Sequence, residues 1–140
     1  MTFSNVWRPA LLALVLTVAL TGTASAAVTQ LTMHPTAKLS PGHLHAILTG
    51  TVTCDPGDNL LINGQIVQPQ TASGFGFANA SSCDGTPQAF AVDVSTGGIF
   101  GAPGVFKPGK ASAQVSTSIC DPGTMLCSSK YTDGMIRLVK

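Results

Sequence analysis

Residues Leu44 to Cys54 read LHAILTGTVTC and run straight into Asp55-Pro56-Gly57. Leu44, Ala46, Leu48, Gly50, Val52 and Cys54 fall on one side of an extended chain, and His45, Ile47, Thr49, Thr51 and Thr53 fall on the other. Successive side chains of a strand point to opposite faces, so a period of two with one apolar face marks a half-buried strand. Asp, Pro and Gly then end it. Proline presets φ for the second turn position, glycine supplies the positive φ of the third, and the aspartate can accept backbone N–H groups.

The same pattern recurs along the chain. Phe90, Val92 and Val94 alternate with Ala91, Asp93 and Ser95. Ala111, Ala113, Val115, Thr117 and Ile119 alternate with Ser112, Gln114, Ser116, Ser118 and Cys120, and Ile136 and Leu138 point inward around Arg137. Fainter patterns predict strands over Val28 to Met33, Leu60 to Gln68 and Ser73 to Ala78. Asn63-Gly64 is a hairpin signal. Leu60, Ile62 and Ile66 nevertheless keep phase through it, which predicts a single strand with a glycine inside. Pro-Gly occurs five times, at Pro41, Pro56, Pro103, Pro108 and Pro122, each predicting a type II turn. Glu is absent while Thr, Val, Ser and Gly abound, a composition of strands and turns. About seven short strands separated by turns predict an immunoglobulin-like antiparallel β-sandwich, with a small barrel as the runner-up.

The N-terminus predicts export. Arg8 precedes the apolar run ALLALVLTVAL at Ala10 to Leu20, and Ala24-Ser25-Ala26 has the small-x-small form read by signal peptidase. Cleavage is expected between Ala26 and Ala27. The run is shorter than the roughly 20 apolar residues of a spanning helix, and nothing later in the sequence spans a membrane. The expected mature chain, 140 − 26 = 114 residues, suits one domain over 27–140. It carries six basic residues (Lys38, Lys107, Lys110, Lys130, Arg137, Lys140) and six aspartates. A formal charge near zero, with no basic cluster, argues against nucleic acid or an anionic membrane as the main partner, and the expected form is a monomer.

Cys54, Cys83, Cys120 and Cys127 in an exported chain predict two disulfides. Their spacings match no zinc-ligand pattern. Four cysteines allow three pairings. Cys54 shares the apolar face of its strand, whereas Cys120 lies opposite Ala113, Val115 and Ile119, which argues against joining those two through the core. Cys127 is seven residues beyond Cys120 across a turn, so a local staple there leaves Cys54 with Cys83. Loop-closure entropy puts these at about 2.5 and about 3.5 kcal/mol respectively.

Motifs that could carry chemistry are few. His43 and His45, at i and i+2 on the polar face of a strand, point the same way and could share a copper or zinc ion, with His34 arriving through folding, but no Cys, Glu or further His nearby completes the set. No cofactor or metal is expected. Asp55, Asp58 and Asn59 offer too few oxygens for calcium. Asn79-Ala80-Ser81 is a glycosylation sequon and marks a surface loop. No nucleophile, zinc-protease or phosphate-loop motif is present, and no catalytic residue is expected. A hydrolase would require Asp93 and a histidine to converge in one cleft. Phe75, Phe77, Phe100 and Phe106 sit in glycine-rich segments, and the first three are the candidate lining of a small apolar pocket. Core packing is the competing role.

LTGTVTC at Leu48 to Cys54, CDGTPQAFAVDV at Cys83 to Val94 and FKPGKASAQV at Phe106 to Val115 resemble small secreted immunoglobulin-like proteins of actinobacteria. That resemblance implies export and a sandwich, lends weight to the Cys54–Cys83 pairing, and carries no catalytic residues. A fainter likeness, resting on Cys120, Cys127 and the terminal MIRLV, is to the enediyne chromoprotein apoproteins, which implies a carrier of an apolar small molecule. The expectation is therefore a secreted, non-catalytic binding or envelope-associated module, with the carrier as its alternative.

Overall fold

A computed structural model describes residues 27–56, 60–79, 83–98, 101–121 and 123–140. The expected signal peptide up to Ala26 lies outside these residues, as do Phe100, Asp58 and Asn59. Eight strands follow one another without a helix among the described residues. They are β1 (Val28–Met33), β2 (Thr36–Leu39), β3 (His45–Cys54), β4 (Leu60–Gln68), β5 (Ala72–Asn79), β6 (Gln88–Thr96), β7 (Gly109–Cys120) and β8 (Cys127–Val139). Residues Ala46 to Cys54 alternate buried and half-buried without a break, as the opening stretch predicts. β4 runs straight through Asn63-Gly64, with Leu60, Ile62, Gly64 and Ile66 inward.

The strands form one hydrogen-bonded sheet that closes on itself. Around the ring the order is β3-β2-β8-β7-β4-β5-β6, and β6 returns to β3. This makes a seven-stranded barrel, with β1 paired to the half of β3 that β2 leaves free. β2 runs parallel to β8, and every other pairing is antiparallel. The expectation of two separate antiparallel layers is corrected in these respects. The barrel is all-β, mixed and continuous.

Its ladders are unequal. β3–β6, β4–β5 and β4–β7 each pair over eight residues and β7–β8 over twelve. By contrast β5 meets β6 over two, β2 meets β3 over two, and β2 meets β8 over three. Long ladders therefore make two broad walls, β1/β3/β6 and β5/β4/β7/β8, joined at thin seams. The core lies between the walls. Leu48, Val52, Ile62, Ile66, Val92, Val94, Val115 and Ile119 are at most 1% exposed, each contributing about 1.5–3 kcal/mol by leaving water. Gly64 brings the walls close: a Cβ there would lie 2.9 Å from a methyl of Val92.

Several local expectations change. Leu44 is half exposed rather than inward, because it precedes β3 in the turn and only its carbonyl is held, by the amide of Thr96. His43 lies in that turn with φ near 60° and not on the strand beside His45. Phe106 is fully buried although its segment is irregular. Its amide donates to the carbonyl of His43, and Gln68 clamps the following residue through both amide atoms, to Lys107 N at 2.8 Å and Lys107 O at 2.9 Å. Gly42 has the positive φ of a type II turn and His43 N donates to Ser40 O. Gly123, in the second CDPG, does not take that conformation. Met125 does instead, at φ 57°.

Candidate functional site

β5 is inverted relative to an ordinary half-buried strand. Ala72, Gly74 and Gly76 point inward, and Phe75 and Phe77 point outward. Space dictates this. A Cβ on Gly74 would lie 2.9 Å from the ring of Phe106 and 2.9 Å from Val94, and one on Gly76 would strike the carbonyl of Asp93. With no room inside, the aromatic side chains go out, and Phe75 and Phe77 stack edge to face at 4.7 Å between centroids. Phe77 is 59% exposed. Neither ring belongs to the buried core, and Phe75 is half-buried.

Strand register extends this outer surface across four strands. One row runs Phe77, Asn63, Ser116, Tyr131; the next runs Phe75, Gln65, Gln114, Asp133; a third runs Ser73, Val67, Ser112, Met135. Adjacent strands lie about 4.8 Å apart, so each row spans roughly 14 Å. Aromatic rings stand at both ends of the first row, with amide and hydroxyl groups between. A trough of about 570 Å³ lies over β4, β7 and β8, lined among others by Gln65, Gln114, Tyr131, Asp133 and Met135. The enclosed Oδ1 of Asn63, at the centre of the first row, has no hydrogen-bond partner among the described residues. An unpaired enclosed acceptor is costly and suits a donor brought by water or ligand.

The cysteines are joined as Cys54–Cys83 and Cys120–Cys127, and no free cysteine is present among the described residues. Two disulfides are consistent with an oxidising, extracellular setting. Cys54 and Cys83 are 2% and 4% exposed, while Cys120 and Cys127 sit in the open at the end of the β7–β8 hairpin. Two of the three aspartates that follow cysteines, Asp84 and Asp121, act as turn acceptors. Asp121 Oδ1 accepts from the amides of Gly123 at 2.7 Å and Thr124 at 3.3 Å. Asp84 Oδ1 accepts from Thr86 Oγ1 at 2.6 Å, Thr86 N at 2.9 Å and Gln88 Nε2 at 3.3 Å. These bonds, the Thr86 hydroxyl first, hold the Asp84 carboxyl below the usual carboxylate range.

Asp93 and a histidine do converge. His45 Nδ1 lies 2.9 Å from Asp93 Oδ1, with side chains 46% and 58% exposed. The pair stands on the open outer wall of β3 and β6, and none of the troughs described here is lined by either residue. His34 instead bonds Thr49 Oγ1 at 3.0 Å. No set of three or more His, Cys, Asp or Glu that could hold a metal occurs among the described residues.

Tyr131, Asp133 and Met135 are absent from the sequence-level candidates because CSSKYTD shows no alternation. β8 extends that far because β7 templates it over twelve register pairs. The outward phase of Gln114 was legible, but its partners across the sheet were not. Comparison with protein families finds no match to this chain, and comparison with curated proteins finds none either.

Proposed function

We propose that this is an exported, non-catalytic contact module that works through the outer wall of β5, β4, β7 and β8. The observation that carries it is the inversion of β5: half-buried Phe75 and exposed Phe77 lie on the outer wall that carries Tyr131 at its opposite side, while glycines fill the inward positions. Large exposed apolar side chains gathered on one face are a feature of interaction surfaces. The immunoglobulin-like resemblance belongs to the same proposal. It is supported by the two broad walls joined at thin seams and by the switch of the chain from β1 on β3 to β2 beside β8. Export is supported by the N-terminal pattern and the two disulfides.

A carrier of an apolar small molecule, the alternative, needs an enclosed cleft. The close approach of Val92 to Gly64 and of Phe106 to Gly74 leaves no room for one between the walls there. Native mass spectrometry of the protein recovered from its own culture medium distinguishes the two. The expected mass begins at Ala27, is four hydrogens lighter than the reduced chain, and carries no apolar adduct. A stoichiometric small-molecule adduct released by organic solvent would establish the carrier and end the contact-module proposal.

A further inference from the structure

The six cations of the expected mature chain are scattered in sequence, but five of them gather at one end of the barrel. β2 and β8 run parallel, and β7 begins where β8 ends. Lys38 on β2, Arg137 on β8 and Lys110 on β7 therefore come from three adjacent strands. Arg137 faces Thr36 on one side and Lys110 on the other, and Lys38 lies in the next row, beside Val139. Two strand spacings cover roughly 10 Å. Lys107 and Lys140 flank the group, and all five are exposed. Only Lys130 lies apart, toward the Cys120–Cys127 end, where its Nζ donates to the carbonyl of Thr29 at 2.7 Å.

Of the aspartates among the described residues, Asp55, Asp84 and Asp121 adjoin the cysteines at the far end, Asp93 is engaged by His45, and Asp133 stands on the outer face of β8, separated from Arg137 by the row of Met135. Among the described residues no carboxylate pairs with any of the five gathered cations. A chain of nearly zero net charge is thus strongly polarised, and cations grouped on one surface attract anions whatever the total charge.

We infer that this corner binds an anionic polysaccharide, its carboxylate, sulfate or phosphate groups held by Lys38, Lys110 and Arg137. The inference rests on the contact-module reading and names that module's partner. Charge complementarity selects an anion, and the shape of the surface selects a chain rather than a bilayer. Lys110 and Arg137 line one trough of about 400 Å³, Lys38 and Lys140 line another of about 460 Å³, and Met135 is shared between the first of these and the larger amide-lined trough beside Tyr131. A linear polymer could lie along β8 with its anionic groups on the cations and its hydroxyls on Gln114 and Asp133.

Affinity electrophoresis through gels containing polygalacturonate, dextran sulfate or neutral dextran tests this at low and high salt. The wild-type protein should be retarded by at least one of the two anionic polymers and not by neutral dextran, and 0.5 M NaCl should abolish the effect. Lys110→Gln/Arg137→Gln should weaken retardation at least tenfold, whereas Lys130→Gln should change it less than twofold. Circular dichroism confirms that the variants fold. Retardation by neither anionic polymer, equal retardation by neutral dextran, or equal loss in Lys130→Gln would overturn the inference. So would co-sedimentation with phosphatidylglycerol vesicles without retardation by either anionic polymer. None of these results bears on the contact module itself, which the native mass measurement tests separately.

Discussion

Gly76 faces Gly64 across the β4–β5 ladder, and both point into the space between the walls. Strand propensity alone would favour a β-branched residue at either position. Contact decides otherwise, because a Cβ on Gly76 meets the backbone of Asp93 and Val94, and a backbone carbonyl cannot move aside as a flexible side chain can. Gly76→Val should therefore lower the urea midpoint by the equivalent of about 1–3 kcal/mol; an unchanged or raised midpoint would show that β6 stands farther off. Asp84 yields a pH prediction of definite sign. Its folded-state pKa is depressed, so its contribution to stability is fully present above the unfolded carboxylate range and is lost as pH falls through the lowered folded value. Asp84→Ala should thus be less stable than wild type at neutral pH, with the difference shrinking on acidification. Paired thermal melts from neutral to strongly acidic pH check this, and a gap that widens in acid would contradict it.

Among elements, the two disulfides serve different places. Cys120–Cys127 closes an exposed hairpin whose tip carries Met125 and Leu126, 82% and 62% exposed. Cys54–Cys83 is buried and ties the end of β3 to the segment that leads into β6. Thiol–disulfide exchange requires access of the attacking thiolate. A mild reductant should open Cys120–Cys127 first, while Cys54–Cys83 persists until the domain unfolds, as followed by alkylation and peptide mapping. Simultaneous opening would mean that the Cys54 end of β3 breathes. Loss of the local staple should cost about 2.5 kcal/mol and loss of the longer loop about 3.5 kcal/mol. β8 makes a second point at this scale. Its first half has no strand pattern of its own and becomes a strand only because β7 is held beside it.

For the whole molecule, the thin seams are where a closed barrel is weakest. A ladder of two or three pairs, as at β5–β6, β2–β3 and β2–β8, has few amides to protect one another. Local opening is cheapest where backbone hydrogen bonds are few and buried apolar contacts sparse. Native-state hydrogen exchange should show β2 exchanging well before the Leu48–Val92 and Ile62–Thr117 regions of the long ladders. Uniform protection around the ring would contradict the picture of two walls with weak joints.

The strands, their inward faces and the turns after cysteines are local properties. Alternation along Ala46 to Cys54 or Ala111 to Ile119, and the Asp acceptor after Cys83 and Cys120, need only neighbouring residues to define them, and they were legible for that reason. The pairing of the cysteines was legible too, since the phase of Cys120 against Ile119 sets the side on which its sulfur emerges. Other features depended on what lies across the sheet. β2 has only four residues, too few to show a period, and exists through its parallel contact with β8. Phe75 and Phe77 turn outward because Val94, Phe106 and the Asp93 backbone occupy the space inside. The gathering of Lys38, Lys110 and Arg137 is invisible in a chain where those residues stand far apart. Phase travels along a strand, but register, closure and charge grouping are set between strands, by partners that only the folded chain brings together.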